Sequence, residues 1–104
     1  MTALLDNGGV LMHPFVLGEL ALGHVPKIVE IIDDLRTLPK TIVASIDEVL
    51  EFIVDQKLSG SGIGYVDVHL LAAAALTPET FVWTRDKRLH TAAQSLLLAA
   101  EIRE

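Results

Sequence analysis

The chain has 104 residues, of which 51% are hydrophobic, so it suits one small domain with a compact core. Its net charge of -6 argues against a protein that coats nucleic acid by bulk electrostatics, and the absence of cysteine excludes disulfides and thiolate metal sites. No stretch reaches the roughly 18 uninterrupted apolar residues that a membrane span needs, and no signal peptide is visible, so we expect a cytoplasmic protein.

The first half of the chain is predicted to contain one short strand and two helices. A turn signal, Asn7-Gly8-Gly9, closes residues 1–7, which read as the tail of a helix. Pro14 can occupy the first turn of a helix, where a missing N–H costs nothing. The elements predicted after the turn are a strand over 10–13, a helix over 14–22 and a helix from 26 to before 38.

The second half continues the alternation of strands and helices. Ser45 and Glu48 fit a capping box at the start of one helix. The elements predicted here are a strand over 41–44, a helix from 46 to about 57, a flexible loop over 59–62, a helix that ends at 76, a strand over 81–84, a helix from 85 or 86 to about 98 and a short strand within 99–104. This alternation predicts an α/β fold with a parallel sheet and helices on its faces.

Three acids lie near the places where functional groups gather in such a fold, outside the carboxyl ends of the strands. Glu19 follows the first predicted strand, Asp67 opens an apolar helix, and Asp86 directly follows the strand over 81–84. Converging carboxylates repel each other unless a divalent cation such as Mg²⁺ or Mn²⁺ neutralises them, and such an ion suits phosphodiester chemistry. The simpler interpretation is that two of these acids favour helix dipoles and that Glu19 lies on a solvated edge. The residues alone favour the simpler one.

Other kinds of site are less well supported. Asp67 and His69 are two positions apart, so they do not share a helix face as a metal pair would. The sequence does not contain the residue spacing of a serine nucleophile elbow or that of a phosphate-binding glycine loop. The basic residues Arg85, Lys87 and Arg88 could hold phosphates, although exposed basic residues at a helix start are common.

Three blocks of sequence carry a resemblance to a known family. They are MHPFVLGELA over 12–21, GIGYVDVHLL over 62–71 and WTRDKRL over 83–89. In order and spacing they resemble the VapC-like toxins of the PIN-domain family, across essentially the whole chain. The resemblance implies a parallel α/β/α sandwich and a Mg²⁺- or Mn²⁺-dependent endoribonuclease of a type II toxin–antitoxin system. It also implies a homodimer that a small antitoxin inhibits, with Glu19, Asp67 and Asp86 as metal ligands.

The chain departs from that family at its amino-terminal end. Members begin with a strand that bears an aspartate in a V-D-T-S-x-W-type block, and no such block is present here. Asp6 precedes a turn, so we do not assign it that role. We therefore expect residues 1–104 to be a single, N-terminally truncated PIN-like domain that lacks the central first strand and its helix, with unpaired backbone on the neighbouring strands.

This departure leaves a second hypothesis about function. The chain could be a catalytically impaired fragment or a degenerate toxin that only binds an antitoxin or another subunit. Exchange of strands within a dimer is a further way in which the gap in the sheet could be filled.

Overall fold

A computed structural model describes residues 2–101, and within them the chain forms three strands and five helices. The elements are β1 (Thr2–Asp6), β2 (Gly9–Leu11), α1 (Pro14–Leu22), α2 (Ile28–Leu35), α3 (Ile46–Asp55), α4 (Tyr65–Leu76), β3 (Phe81–Thr84) and α5 (Lys87–Ser95). The five predicted helices after residue 13 are confirmed, with ends that differ by a few residues. None of the described helices has the length and apolar character to cross a membrane.

The strand β1 lies in the middle of the sheet, whose order is β2-β1-β3. Leu4 pairs with Leu11 on one side and with Val82 on the other, both in antiparallel register. The prediction of a helical tail over residues 1–7 is therefore wrong, and so is the expected gap in the sheet. The turn explains the hairpin, because Asp6 Oδ1 accepts a hydrogen bond from the Gly8 amide at 2.8 Å and Gly9 adopts a φ of 122°.

The prediction of a parallel sheet is wrong for the central strand β1, which pairs antiparallel with both of its neighbours. Since β2 and β3 both run opposite to β1, they run in the same direction as each other. Further bridges, Met12 to Lys40 and Val82 to Ala99, are parallel. The predicted strand over 41–44 is reduced to this contact near Lys40, where the Thr41 amide donates to the Met12 carbonyl at 3.1 Å. Of the predicted last strand, residues 102–104 lie outside the described residues, and the α/β/α sandwich stays a prediction.

The helix α4 is the centre of the core. Every residue from 68 to 74 is buried, which fits a helix that is apolar on all sides. One cluster joins α4 to the sheet and to α5, and it consists of Leu4, Leu11, Leu70, Leu71, Ala73, Ala74, Val82, Leu89 and Ala93. A second cluster joins α4 to α3, and it consists of Ala44, Val49, Val68 and Ala72. Residues at the start of α4 are therefore held between two packed layers.

Capping residues fix the starts of two other helices. The capping box of α3 is confirmed, because Ser45 Oγ accepts from the Glu48 amide at 3.1 Å while Glu48 Oε1 accepts from the Ser45 amide at 2.9 Å. At the start of α1, His13 Nδ1 accepts from the Phe15 amide at 3.0 Å. His13 is fully buried, and its Nε2 has no hydrogen-bond partner within residues 2–101.

We expect stability to fall in acid because of two buried histidines. Burial and the nearby His69 lower the pKa of His13, and burial lowers the pKa of His69. In the unfolded chain these histidines take up protons as the pH falls below their ordinary pKa of 6.5. In the folded chain they stay neutral to a lower pH. The free energy of unfolding is therefore undiminished by these histidines above pH 6.5 and declines below it. The decline is at most about 1.4 kcal/mol per pH unit for each histidine. Urea unfolding at a series of pH values measures the decline.

The variant His13→Asn separates this effect from general acid sensitivity. Asparagine keeps an oxygen that can cap α1 but does not titrate, so the pH dependence should become shallower. The exposed His24 provides the matched control, because His24→Asn should leave the dependence unchanged. Equal slopes in both variants would contradict the assignment to His13.

Candidate active site

A cavity of about 260 Å³ lies between α1, the start of α4 and the first residue of β1. Its lining residues are Thr2, Phe15, Val16, Glu19, Leu20, Val66, Asp67 and Leu70. Two of the three acids singled out in the sequence, Glu19 and Asp67, therefore share one largely apolar cavity. A larger cavity of about 690 Å³ lies at the other end of β1, beside Asp6 and Glu101, and contains none of the three.

Asp67 is held in place by the buried helix that follows it. It lies in the first turn of α4, a helix whose N-cap is Gly64 and whose start has no side-chain cap. Burial raises the pKa of Asp67, and the negative charges of Asp86 and Glu19 raise it further.

Asp86 is the N-cap of α5, as the simpler interpretation of the sequence predicted. Its Oδ1 accepts from the Leu89 amide at 3.0 Å, and its own amide donates to Thr84 Oγ1 at 3.2 Å. Both bonds fix the direction of the carboxylate at the end of β3. The cap uses Oδ1, which leaves Oδ2 for a ligand.

Glu19 is an exposed residue in the middle of α1 that also lines the cavity. The predicted solvated edge and a place in the site are therefore compatible. Residues 2–101 contain no group of three histidines or acids close enough to hold one ion together. The three carboxylates interact through their charges without meeting at one point.

The residues present still fit a hard divalent cation. Mg²⁺ takes oxygen ligands and is commonly held by only one or two carboxylates, with water completing its octahedron. Glu19 and Asp67 supply such a pair in one cavity, while Asp86 adds negative charge nearby. A bound cation would offset the repulsion between these carboxylates, which adds to the larger effect of burial on the pKa of Asp67.

Thr2 is a residue of this cavity that sequence reasoning missed. The antiparallel direction of β1 brings its first residue to the acids, where Thr2 Oγ1 and Thr84 Oγ1 form a hydrogen bond of 3.0 Å. A helical tail was predicted for this segment, so no signal in the sequence placed Thr2 near the site. The start of the central strand therefore brings a hydroxyl into the cavity that Glu19 and Asp67 line.

The three basic residues predicted to contact phosphates do not form one cluster. Lys87 and Arg88 line a second groove, along the start of α5. The Arg85 guanidinium instead lies over the ring of Trp83, with its Cζ 5.7 Å from the ring centroid.

Comparison with known proteins decides the family. Ribonuclease VapC32 of Mycobacterium tuberculosis, from strain H37Rv and from strain CDC 1551, is 39% identical to this chain over 102 residues. The match covers 97% of this chain and 82% of each relative. This chain belongs to the VapC-like PIN-domain ribonuclease family. No family model matches the chain, and neither does a solved structure.

Membership in the VapC-like family confirms the resemblance of the three sequence blocks. The geometry adds that the blocks around Glu19 and Asp67 meet at one cavity, while the block around Asp86 acts on that cavity through its charge.

Proposed function

We propose that this chain is a metal-dependent endoribonuclease toxin of a type II toxin–antitoxin system that cleaves RNA phosphodiester bonds. The ion is Mg²⁺ or Mn²⁺, and Glu19 and Asp67 hold it in their shared cavity. Asp86, the third ligand that the family resemblance implies, is a catalytic residue that acts on this site through its charge. Membership in the VapC-like family and a relative named as a ribonuclease support the activity. The observation that carries the metal site is the Asp67 carboxylate, which is half-buried beside two like charges.

The chain's own residues position and isolate the reacting groups. A bound ion would lower the pKa of a water molecule beside it and would stabilise charge on the leaving oxygen. Asp67 is held rigidly by the buried α4, and Asp86 is oriented by its bond to the Leu89 amide. Phe15, Leu20 and Leu70 form apolar walls, which strengthen electrostatic interactions by reducing the local dielectric.

The proposed partners are an RNA substrate, a small antitoxin and a second copy of the chain. Membership in the VapC-like family supports the antitoxin. Large apolar side chains on the surface are compatible with protein partners: Leu22 is 86% exposed and Val29 is 69% exposed, on two helices that bury no residue completely.

An assay of single-stranded RNA with the purified chain tests this function. We expect cleavage with Mn²⁺ or Mg²⁺ and none with a chelator. Cleavage that persists at the same rate in the chelator would contradict the metal-dependent mechanism, and no cleavage with either ion would contradict the activity.

A second candidate function is binding without catalysis. Two observations favour it: no group of three ligands converges within residues 2–101, and the residue that the central strand contributes to the cavity, Thr2, is a hydroxyl rather than a carboxylate. In this case the chain would form a complex with an antitoxin but show no heat of Mn²⁺ binding by calorimetry. Tight Mn²⁺ binding together with RNA cleavage would exclude it.

Two substitutions at Asp86 should separate its structural and chemical roles. Asp86→Asn keeps a good N-cap, whereas Asp86→Ala loses the cap and about 1 kcal/mol of stability. Both remove a charge worth about 1–2 kcal/mol at a partly exposed site, so activity should fall roughly 5- to 30-fold in each. Urea unfolding and the cleavage rate measure the two effects. Unchanged activity in Asp86→Asn would exclude Asp86 from the site, and equal stability of the two variants would exclude the cap.

A further inference from the structure

A groove of about 460 Å³ lies between α5 and the segment that joins α3 to α4. Its lining residues are Gln56, Lys57, Leu58, Ser61, Ile63, Lys87, Arg88, Thr91, Ala92 and Ser95. Three of these are basic and none is acidic, in a chain that has 14 acids and 8 basic residues. The lining is therefore opposite in charge to the chain as a whole and to the neighbouring carboxylates.

Several donors in the groove remain available to a ligand. Ser61 Oγ accepts a bond from the Ile63 amide at 3.3 Å, so its own hydrogen is free to donate outward. Thr91 Oγ1 and Ser95 Oγ instead donate to carbonyls of α5. The available donors are thus the three cations, the Ser61 hydroxyl and the Gln56 amide.

The loop before α4 leaves space for one of the cations. Gly62 has a φ of 82°, and a Cβ added there would lie 2.5 Å from Arg88 Nη1. The guanidinium therefore lies against bare backbone, which only glycine allows without displacing it. Gly62 thus leaves the Arg88 guanidinium at the side of the groove.

We propose that this groove binds the sugar–phosphate backbone of the RNA beside the cleavage point, an inference that rests on the proposed function. Three cations without a carboxylate, together with hydroxyl and amide donors, match phosphate and ribose oxygens. Lys87 directly follows Asp86 in the chain, so the groove begins one residue from one of the three acids. Lys57 and Ser61 thereby become substrate-binding residues.

The lining also indicates how the RNA is bound. It contains no aromatic side chain, so bases cannot stack in it as they do in grooves that bind bases. The apolar lining residues Leu58, Ile63 and Ala92 are partly buried and offer no exposed anchor for a peptide. We therefore expect binding that depends on salt and is independent of base sequence.

The experiment measures binding separately from cleavage. A labelled single-stranded RNA is titrated with the chain in a chelator, over a series of salt concentrations. Each cation that neutralises a phosphate contributes about 0.7 to the slope of log affinity against log salt, so Lys57→Gln should lower the slope by about 0.7 and the affinity at 0.1 M salt about fivefold. RNAs of unrelated sequence should show the same change.

Lys40→Gln is the matched control, because it removes the same charge from a lysine outside the groove, at the bridge beyond β2. It should bind RNA nearly as the parent chain does. Arg88→Gln is a second groove variant and should behave as Lys57→Gln.

Each outcome decides between the inference and its alternatives. Equal slopes for Lys57→Gln and Lys40→Gln, or no binding of RNA by the parent chain at low salt, would overturn the inference. A groove variant that weakens only the complex with an antitoxin would assign the groove to an acidic protein segment and likewise overturn it. Binding that follows the prediction in a chain that never cleaves RNA would support the groove while contradicting the proposed activity.

Discussion

Asp67→Asn is expected to reduce metal-dependent RNA cleavage by about 100- to 1000-fold. A metal ion contributes several kcal/mol of charge stabilisation in the transition state, and about 1.4 kcal/mol corresponds to each factor of ten in rate. Asparagine has nearly the same shape but carries no charge, so it weakens the ligand without creating a cavity. Single-turnover cleavage with Mn²⁺ measures the loss.

The same substitution should raise stability when no metal is bound. Burial and two neighbouring carboxylates raise the pKa of Asp67, which means that its charged form is disfavoured in the folded chain. Above the folded pKa this group therefore lowers the free energy of unfolding, and the neutral asparagine removes that cost. Asp33→Asn, on the exposed surface of α2, is the matched control and should change neither quantity. If Asp67→Asn lowered stability and left cleavage intact, both the metal site and its electrostatic account would be wrong.

Leu4→Ala is expected to destabilise the chain by about 2–5 kcal/mol, because it leaves a cavity in the core. Leu4 is 0% exposed in β1 and packs in the cluster that joins the sheet to α4. Total stabilities of small domains are about 5–15 kcal/mol, so this loss is a large fraction of the whole. Urea unfolding followed by circular dichroism measures it.

Leu22→Ala removes the same atoms from a side chain that is 86% exposed at the end of α1. Its effect should stay within about 0.5 kcal/mol. Similar small losses in both leucine variants would mean that residues 2–6 are not part of the core, as a frayed helical tail would predict. A large loss confined to Leu4 would support the central position of β1.

The helices of this chain could be predicted because their signals are local. The mostly apolar stretch from Val68 to Ala74, interrupted by His69, and the Ser45–Glu48 box each lie within one helix, and both helices are confirmed. The strand β1 could not be predicted in this way. Its pairing satisfies the backbone of β2, which follows it after a short turn, and of β3, which lies far away in sequence. The tertiary gain from this second pairing outweighs the weak local preference of five residues.

In the candidate site too, local features could be predicted from the sequence, whereas features that depend on tertiary packing could not. Asp86 as a cap follows from its position before a helix, whereas the shared cavity of Glu19 and Asp67 depends on how α1 packs near α4. The resemblance selected all three acids, but it gave no distance between them. Lys57 and Gly62 were missed because a lysine after a helix and a glycine in a loop are common features, and only the folded chain brings them beside Arg88.

The position of β1 has a consequence for biosynthesis. The hairpin of β1 and β2 can close early because it needs only a short turn, but Thr2 and Thr84 are 82 positions apart. Contacts of such long range form late, since the loop between them must close first. A nascent chain therefore cannot complete the sheet, or the cavity that Thr2 lines, until β3 has left the ribosome. For the proposed ribonuclease, this order would delay activity until β3 has been synthesised and has paired with β1.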